Sequence, residues 1–462
     1  MSAFSRFAQG GGPRTSHPIR DLARNSPARA AALIFVLAAV VFSVLLSLPI
    51  SSASNRPTPL IDAFFTGVSA VTVTGLTTLD TATHWSPFGQ IVILLAIQIG
   101  GLGIVTIALM LARAVTRHLG LQTKVFAQQG IGTSKLGEVG TLLRIVVLTT
   151  LTIQGVLFLL LLPPFVVVEG NLWDGIWNAL FYAVSSFNNA GFSIHPGGLP
   201  SLEGNLWILV PIALGVFVGS FGFPVFLTLL MHRWNPKRWT LHTKLTLSTT
   251  LILLVLGSLA WGALEWNNAA TVGAESPLDK VLHSVFASVM MRSGGFSIID
   301  TGASHPATLL VSDALMFVGG GSASTAGGIK VTTLAVLFLA ILAEARGDKD
   351  VRAVGRMIPG ESLRLAISVT FLGATLVLAA TTVIQIANPG VGLDRILFEV
   401  ISAFATCGLS VGLSPELGVL GKGALAVLMM AGRIGPIGLA AALALKQRNL
   451  MYRLPEERPI IG

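Results

Sequence analysis

The sequence repeats a short glycine-containing segment four times: Thr72-Val73-Thr74-Gly75-Leu76, Asn188-Asn189-Ala190-Gly191-Phe192, Arg292-Ser293-Gly294-Gly295-Phe296 and Ala405-Thr406-Cys407-Gly408-Leu409. The fourth residue of each segment is a glycine, which a large apolar residue and then a Thr or Ser follow. The glycines are 116, 104 and 113 residues apart. A second glycine position recurs 24 to 28 residues farther on, at Gly100, Gly219, Gly319 and Gly432. Two positions in register indicate four internal repeats.

The composition indicates an integral membrane protein. Of 462 residues, 53% are hydrophobic and 11% are charged, whereas a soluble domain has roughly 25% charged residues. This excludes a soluble enzyme and a nucleic-acid-binding protein, although the net charge is +9. The single cysteine, Cys407, excludes an intramolecular disulfide framework and a cysteine-rich metal site.

Positive charge is concentrated in five polar segments, 1–29, 113–144, 233–244, 346–364 and 446–458, which hold 23 of the 30 Lys and Arg residues. The positive-inside rule places all five in the cytoplasm, together with both termini. Most acidic residues lie in the intervening segments. These acidic residues either raise the local concentration of cations at the outer face, or only reflect which segments lie on that side and have no such role.

This pattern divides the chain into a cytoplasmic arm (1–29), four pore repeats (30–112, 145–232, 240–345 and 361–446) and a cytoplasmic tail (447–462). Each repeat holds two apolar spans around a shorter amphipathic stretch: Leu60–Val71, Trp173–Phe187, Leu278–Met291 or Leu393–Phe404. These stretches are too short to cross about 30 Å of hydrocarbon, so they predict re-entrant pore helices. The fold class expected is an all-α membrane protein with eight transmembrane helices and four pore helices. Each repeat crosses twice, so the repeats are parallel and surround a central pore.

The repeated segments are predicted to form a selectivity filter. Non-helical backbone at membrane depth must be buried in protein or line a wet cavity, and rings of carbonyls there replace the hydration shell of a cation. Glycine reaches the φ values that such a path needs. The alternative is that the glycines only allow close helix packing. The predicted filter comprises Val73, Thr74 and Gly75; Asn189, Ala190 and Gly191; Ser293, Gly294 and Gly295; and Thr406, Cys407 and Gly408.

With these segments the chain, over residues 30–446, resembles the Trk/Ktr/HKT superfamily of potassium transporters, and specifically the Ktr type, which lacks an extra helix pair before the first repeat. The third segment departs from the common Thr-Ala before the glycine. The resemblance implies K+ as the transported ion at the filter carbonyls, since Gly75 is not the serine of sodium-preferring plant relatives. It also implies a bacterial plasma-membrane homodimer on a cytosolic ring of nucleotide-binding regulatory subunits. Na+ is a candidate activator, membrane lipids surround the protein, and no organic cofactor is expected.

A gate is predicted below the filter, where the second span of the third repeat is interrupted. The run Gly319, Gly320, Gly321, Ser322, Ala323, Ser324, Thr325, Ala326, Gly327 and Gly328 precedes Lys330 and cannot form a stable helix in lipid. Arg433 falls near the centre of the last span, where a charge is costly and normally faces a polar interior. It is predicted to hydrogen-bond the loop and hold it shut. The alternative for the loop is a flexible kink that only serves packing. The alternative for Arg433 is a structural pair with a carboxylate.

Two further buried charges, Arg292 and Glu399, are expected to form a structural ion pair between pore helices. The histidines of the outer segments have no metal-ligand spacing, and no clustered titratable residues favour an enzyme. The leading function is K+ uptake, regulated by a cytosolic nucleotide-binding partner. The alternative is a sodium-coupled symporter of a small solute that uses broken helices.

Overall fold

The computed structural model describes residues 27–118, 139–232 and 235–435, and these are mostly helical. The predicted tail (447–462) and nearly all of the predicted arm (1–29) lie outside the described residues. In the part described, the only strands are a two-residue hairpin, β1 (Arg352–Ala353) and β2 (Arg356–Met357). Short 3-10 turns span Pro49–Ser51, Leu199–Leu202, Pro236–Arg238 and Thr301–Ala303.

Each repeat has a first helix, a pore helix and a second helix, as the sequence predicted. The first two repeats contain α1 (Pro27–Ser47), α2 (Leu60–Val71), α3 (Thr81–His84) and α4 (Pro87–His118), then α5 (Val139–Glu169), α6 (Leu172–Phe187), α7 (Leu206–Gly219) and α8 (Phe223–His232). The last two contain α9 (Leu241–Glu265), α10 (Pro277–Met290), α11 (Pro306–Phe317) and α12 (Val331–Ala345), then α13 (Gly360–Ala387), α14 (Leu393–Phe404) and α15 (Val419–Ile434).

The pore helices α2, α6, α10 and α14 share an electrostatic design. Each has an aspartate in its first turn: Asp62, Asp174, Asp279 or Asp394. Each ends one to three residues before its filter segment. Because the N-terminal end of a helix is partially positive and the C-terminal end partially negative, the aspartates stabilise the outer ends. The four negative ends are directed toward the filter.

Three of the described helices are long and apolar enough to cross a membrane alone: Val146–Glu169, Leu241–Glu265 and Gly360–Ala387. Only 22% of the apolar window of the first is buried inside the protein, so most of it is available to lipid. Shorter apolar helices, among them Ala32–Ser47 and Pro87–Gly103, occupy other span positions. The expected eight spans are therefore present as positions in the repeats, but not all are continuous helices.

Within the described residues the second span is broken in two repeats, whereas the sequence predicted a break in the third repeat alone. In the third, α11 ends at Phe317 and α12 begins at Val331. In the second, α7 and α8 are bent by 93°. Gly222, with a φ of 84°, and Pro224 interrupt the helix locally. The free backbone groups at the bend pair with the loop of the third repeat: Gly321 N donates to Ser220 O at 2.8 Å, and Phe223 N donates to Ala323 O at 3.2 Å.

The repeats close into a circle. A salt bridge of 2.6 Å joins Lys422 on α15 of the last repeat to Asp62 on α2 of the first. Both side chains are largely buried. The pore helices pack in the interior, where Phe65, Tyr182 and Phe398 are fully buried. This arrangement brings the four filter segments together at one point.

Candidate ion-conduction site

The four filter glycines surround one another in chain order. A Cβ built on Gly75 would lie 3.1 Å from the Cα of Gly191, and one on Gly191 would lie 2.9 Å from the Cα of Gly295. A Cβ on Gly295 would lie 3.2 Å from the Cα of Gly408, and one on Gly408 would lie 3.2 Å from the Cα of Gly75. The segments are thus four neighbours around a single axis.

The carbonyl that precedes each glycine faces the glycine of an adjacent repeat. A Cβ built on each filter glycine would lie only 2.1–3.3 Å from the carbonyl oxygen of the adjacent repeat. The oxygens belong to Thr74, Ala190, Gly294 and Cys407. No side chain fits there without displacing the backbone, and a layer of carbonyl oxygens in this position can coordinate a dehydrated cation.

Left-handed backbone occurs at two positions in every filter segment. The glycines Gly75, Gly191, Gly295 and Gly408 have φ values of 93°, 66°, 74° and 94°. The residues two positions earlier, Val73, Asn189, Ser293 and Thr406, have φ values of 55°, 60°, 69° and 46°. For non-glycine residues this conformation costs of order 1–3 kcal/mol each and clusters at functional sites. The sequence predicts left-handed backbone at the glycines alone.

Side chains of the filter fix its segments to one another and to their surroundings. Ser293 Oγ donates to Thr406 O at 2.8 Å, and Asn189 Nδ2 donates to Ser220 Oγ at 2.7 Å. The thiol of Cys407 donates to Met290 O at 3.3 Å and is fully buried. Cys407 thus contributes its backbone, not its thiol, to the ring.

A serine six residues before the glycine supports the filter, and sequence reasoning missed it. Gly75 N donates to Ser69 Oγ and Gly408 N donates to Ser402 Oγ, both at 3.1 Å. In the second repeat Ser185 Oγ instead donates to Phe192 O at 3.0 Å. Only the third repeat lacks a serine at this position. Aligning the repeats on their glycines would have revealed the pattern.

Ser402→Ala should leave the N–H of Gly408 without its partner, which costs about 1–3 kcal/mol when the group is buried. We expect a lower melting temperature of the purified protein and slower uptake of rubidium, a K+ analogue. The matched control is Ser368→Ala, because Ser368 is exposed and bonds only to its own helix at Arg364 O. Equal melting temperatures and uptake rates for Ser402→Ala and Ser368→Ala would contradict the supporting role.

The expected ion pair between Arg292 and Glu399 is wrong. Arg292 donates to Thr250, to its carbonyl oxygen at 2.7 Å and to its Oγ1 at 3.2 Å. Glu399 accepts from Ser410 Oγ at 2.8 Å and from the backbone and side chain of Ser414. Each charge has its hydrogen-bond partners in its own repeat, and hydrogen bonds lower the cost of burying a charge; of the Arg292 nitrogens, Nε has no partner among the described residues.

Glu399 in the fourth repeat and Tyr182 in the second bind the segment that follows the filter glycine. Both lie nine residues before the glycine. Tyr182 contacts Ser193 Oγ at 2.5 Å and His195 Nδ1 at 2.7 Å through its hydroxyl, as Glu399 contacts Ser410. The hydroxyl two residues after the glycine is the shared partner.

A cavity of about 420 Å³ opens on one side of the glycine ring. It is lined by all four glycines and by the hydroxyl residues two positions after them, Thr77, Ser193, Ser297 and Ser410. We call this cavity the vestibule. A polar opening of this size leaves room for a hydrated cation directly above the carbonyl layer.

The second recurring glycine allows the second span to approach its pore helix. A Cβ on Gly100, Gly219 or Gly432 would lie 1.8–2.1 Å from the carbonyl oxygen of Val71, Phe187 or Phe404, respectively. In the third repeat, Gly319 and Gly320 instead lie against Gly327 O and Ser220 O. The recurring glycine therefore packs the second span against the pore helix in the first, second and fourth repeats. In the third repeat, the glycines at this position belong to the loop.

The loop of residues 319–328 contacts the filter directly, on the side opposite the vestibule. Gly327 N donates to Ser293 Oγ at 3.3 Å, and a Cβ on Gly327 would lie 2.9 Å from Ala405 O. Thr325 Oγ1 donates to Gly219 O at 3.0 Å. At its base, Gly319 N donates to Ile329 O at 2.9 Å. The loop thus has a defined conformation, which contacts with the second, third and fourth repeats stabilise.

Two basic side chains hold this loop. Lys330 Nζ donates to Ala326 O at 2.6 Å. Arg433 is buried, donates to Thr325 O, and reaches Gly100 O in the first repeat at 3.3 Å. No carboxylate pairs with Arg433 among the described residues. The structure thus brings the predicted gate residues together beneath the predicted filter.

Comparison with known proteins agrees with this geometry. Residues 7–452 match the TrkH cation transport protein family. The chain is 37% identical over 431 residues to Ktr system potassium uptake protein B of Bacillus subtilis, covering 93% of this chain and 96% of the relative. It is 33% identical to potassium/sodium uptake protein NtpJ of Enterococcus hirae, with 95% and 98% covered.

The fold also matches a solved structure, the crystal structure of the potassium transporter TrkH from Vibrio parahaemolyticus. The TM-score is 0.70 at 17% identity, over 90% of this chain and 85% of the other. That protein shares the architecture of helix–pore-loop–helix repeats. The match across nearly the whole chain, together with four equivalent pore loops, shows that this protein belongs to the TrkH family of cation transport proteins.

Proposed function

We propose that this protein takes up K+ through a central pore whose filter consists of the carbonyls of residues 73–75, 189–191, 293–295 and 406–408. The observation that carries the proposal is the closed ring of four glycines, each against a carbonyl of an adjacent repeat. Four carbonyls around an axis offer oxygen ligands to a cation and repel an anion. The relatives named above are potassium or potassium/sodium uptake proteins.

Electrostatics favour a cation in this pore. The C-terminal, negative ends of four pore helices face the filter, while their first-turn aspartates lie at the other ends. An anion site would instead use helix N-termini or basic rings. We assign the vestibule to the outer face, because the basic segments of the sequence favour the opposite side for the cytoplasm.

Uptake of rubidium into proteoliposomes tests this function. The purified protein should accumulate rubidium down its gradient with no organic solute present, and an excess of K+ should compete. A coupled symporter would need its solute for cation movement. Failure to move rubidium without a solute, in vesicles that contain folded protein, would contradict the proposed channel-like uptake.

We also propose that the chain acts as a homodimer with a cytosolic nucleotide-binding regulatory partner in a bacterial plasma membrane, with Na+ as a candidate activator. The support is the Ktr system named for the Bacillus relative and the potassium/sodium name of the Enterococcus relative. Rubidium uptake with and without external Na+ would test the activator role. Crosslinking in native membranes would test the dimer.

The loop of residues 319–328 is the proposed gate, and its removal should open the pore. Deleting Ser322–Ala326 eliminates Thr325 and Ala326, whose carbonyls bind Arg433 and Lys330. The base of the loop should persist, since Gly319 N still bonds to Ile329 O. We expect rubidium uptake to rise several-fold at unchanged protein abundance. Folded protein without uptake would show that the segment is structural and that the gate lies elsewhere.

A further inference from the structure

A cluster outside the pore joins the second and third repeats. Glu203 follows the 3-10 turn Leu199–Leu202, whose first two residues line the vestibule. Glu275 lies two residues before α10, and His283 lies on that helix. One ligand atom from each of the three side chains lies within 4.8 Å of the other two. Residues from two repeats thus converge at one point beside the vestibule.

The histidine of this cluster is buried, and its Nδ1 lies against a carboxylate. His283 is 7% exposed, and its Nδ1 lies 2.8 Å from Glu275 Oε2. The approach is not aligned as a hydrogen bond, so neither atom has a hydrogen-bond partner. A buried imidazole nitrogen this close to carboxylate oxygens offers the kind of donor set that binds transition-metal cations.

The carboxylates also lack a compensating charge. No Lys or Arg in the described ranges forms an ion pair with Glu203 or Glu275. The nearby Lys280 donates to two backbone carbonyls, Trp266 O at 2.8 Å and Gly273 O at 2.9 Å. The two glutamates therefore have no Lys or Arg within ion-pair distance in the part of the chain that the structure describes.

We propose that Glu203, Glu275 and His283 form a binding site for a divalent transition-metal cation of the Zn²⁺ class, which ties the second repeat to the third beside the vestibule. Imidazole with carboxylates suits Zn²⁺, whereas Mg²⁺ and Ca²⁺ prefer oxygen ligands alone. Zn²⁺ bonds of roughly 2.0–2.2 Å place ligand atoms roughly 3.3 Å apart, so modest side-chain movements suffice. Three protein ligands leave one tetrahedral position for water.

Zinc binding to the full-length protein tests the site. The purified protein, stripped with a chelator, is dialysed against Zn²⁺ alone, and bound metal is measured. The variants are Glu203→Gln, whose side chain is exposed, and His283→Gln. The control is His305→Gln, an exposed histidine outside the cluster. Co²⁺ in place of Zn²⁺ reports the ligand set through its visible absorption.

We expect the unmodified protein and the His305→Gln variant to bind one Zn²⁺ per chain at this site. Glu203→Gln and His283→Gln should each weaken binding by at least about tenfold, since even indirect ligand partners contribute 10–100-fold to metal affinity. If His283→Gln fails to fold, Glu203→Gln decides alone. Zinc binding by Glu203→Gln equal to that of the unmodified protein would overturn the site. Because the readout is binding, the result is independent of ion transport.

Discussion

Gly75→Ser should reduce the preference for rubidium over sodium by about tenfold, equivalent to about 1.4 kcal/mol. The Cβ of the serine would lie 2.3 Å from Ala190 O and 3.1 Å from the Cα of Gly191, at a φ of 93° that L-residues rarely adopt. The carbonyl must therefore move away from its position in the layer. Because selectivity depends on the arrangement of these oxygens, a displaced carbonyl should weaken the discrimination between the two cations.

Competitive uptake of rubidium against sodium in proteoliposomes measures this effect. The matched control is Gly412→Ser, because Gly412 has a φ of 77° but no atom within 4 Å of its ideal Cβ. The control carries similar backbone strain without touching the ring, so its selectivity should stay unchanged. An unchanged sodium-to-rubidium ratio in a well-expressed Gly75→Ser variant would remove the filter assignment.

Arg433→Ala should increase rubidium flux by about tenfold, because it removes a charge-assisted contact worth about 1.5–3 kcal/mol. The guanidinium binds Thr325 O in the loop and reaches Gly100 O in the first repeat. Its charge also raises the barrier for a cation beneath the filter. Both effects favour the closed pore, and alanine removes both. The Arg433→Ala variant should insert into the membrane normally, because an arginine at the centre of a span is itself costly there.

Two further variants separate the contributions of Arg433. Arg433→Lys keeps the charge but loses the planar pair of donors that reaches two carbonyls, so an intermediate flux is expected. Arg364→Ala removes an exposed arginine and should conduct at the unmodified rate. All variants are compared at equal amounts of reconstituted protein. If Arg433→Ala inserts normally and conducts at the unmodified rate, the charge does not gate.

Several features of the pore were predictable because their causes are local in sequence. Apolar runs long enough for hydrocarbon, separated by basic segments, predict membrane spans. Amphipathic stretches of 12 to 15 residues predicted the pore helices to within a residue at their ends. The glycines at 75, 191, 295 and 408 were detectable because left-handed backbone selects against side chains.

Other features depend on contacts between repeats, and these only the tertiary structure decided. At the bend between α7 and α8, the sequence supplies Gly222 and Pro224 as local breakers, but only the structure shows that the loop of the third repeat forms hydrogen bonds with Ser220 and Phe223 there. Arg292 and Glu399 do not pair, because each finds closer partners in its own repeat.

The sequence by itself determined the four repeats, their glycines and the interruption at 319–328, since each is specified by residues adjacent in the chain. The tertiary structure alone decided the cyclic order of the glycines, the position of the loop against Ser293, and the meeting of Glu203 with His283. The reason is physical: these contacts join residues tens to hundreds of positions apart. Their distances follow from how whole helices pack around the axis, which no local pattern encodes.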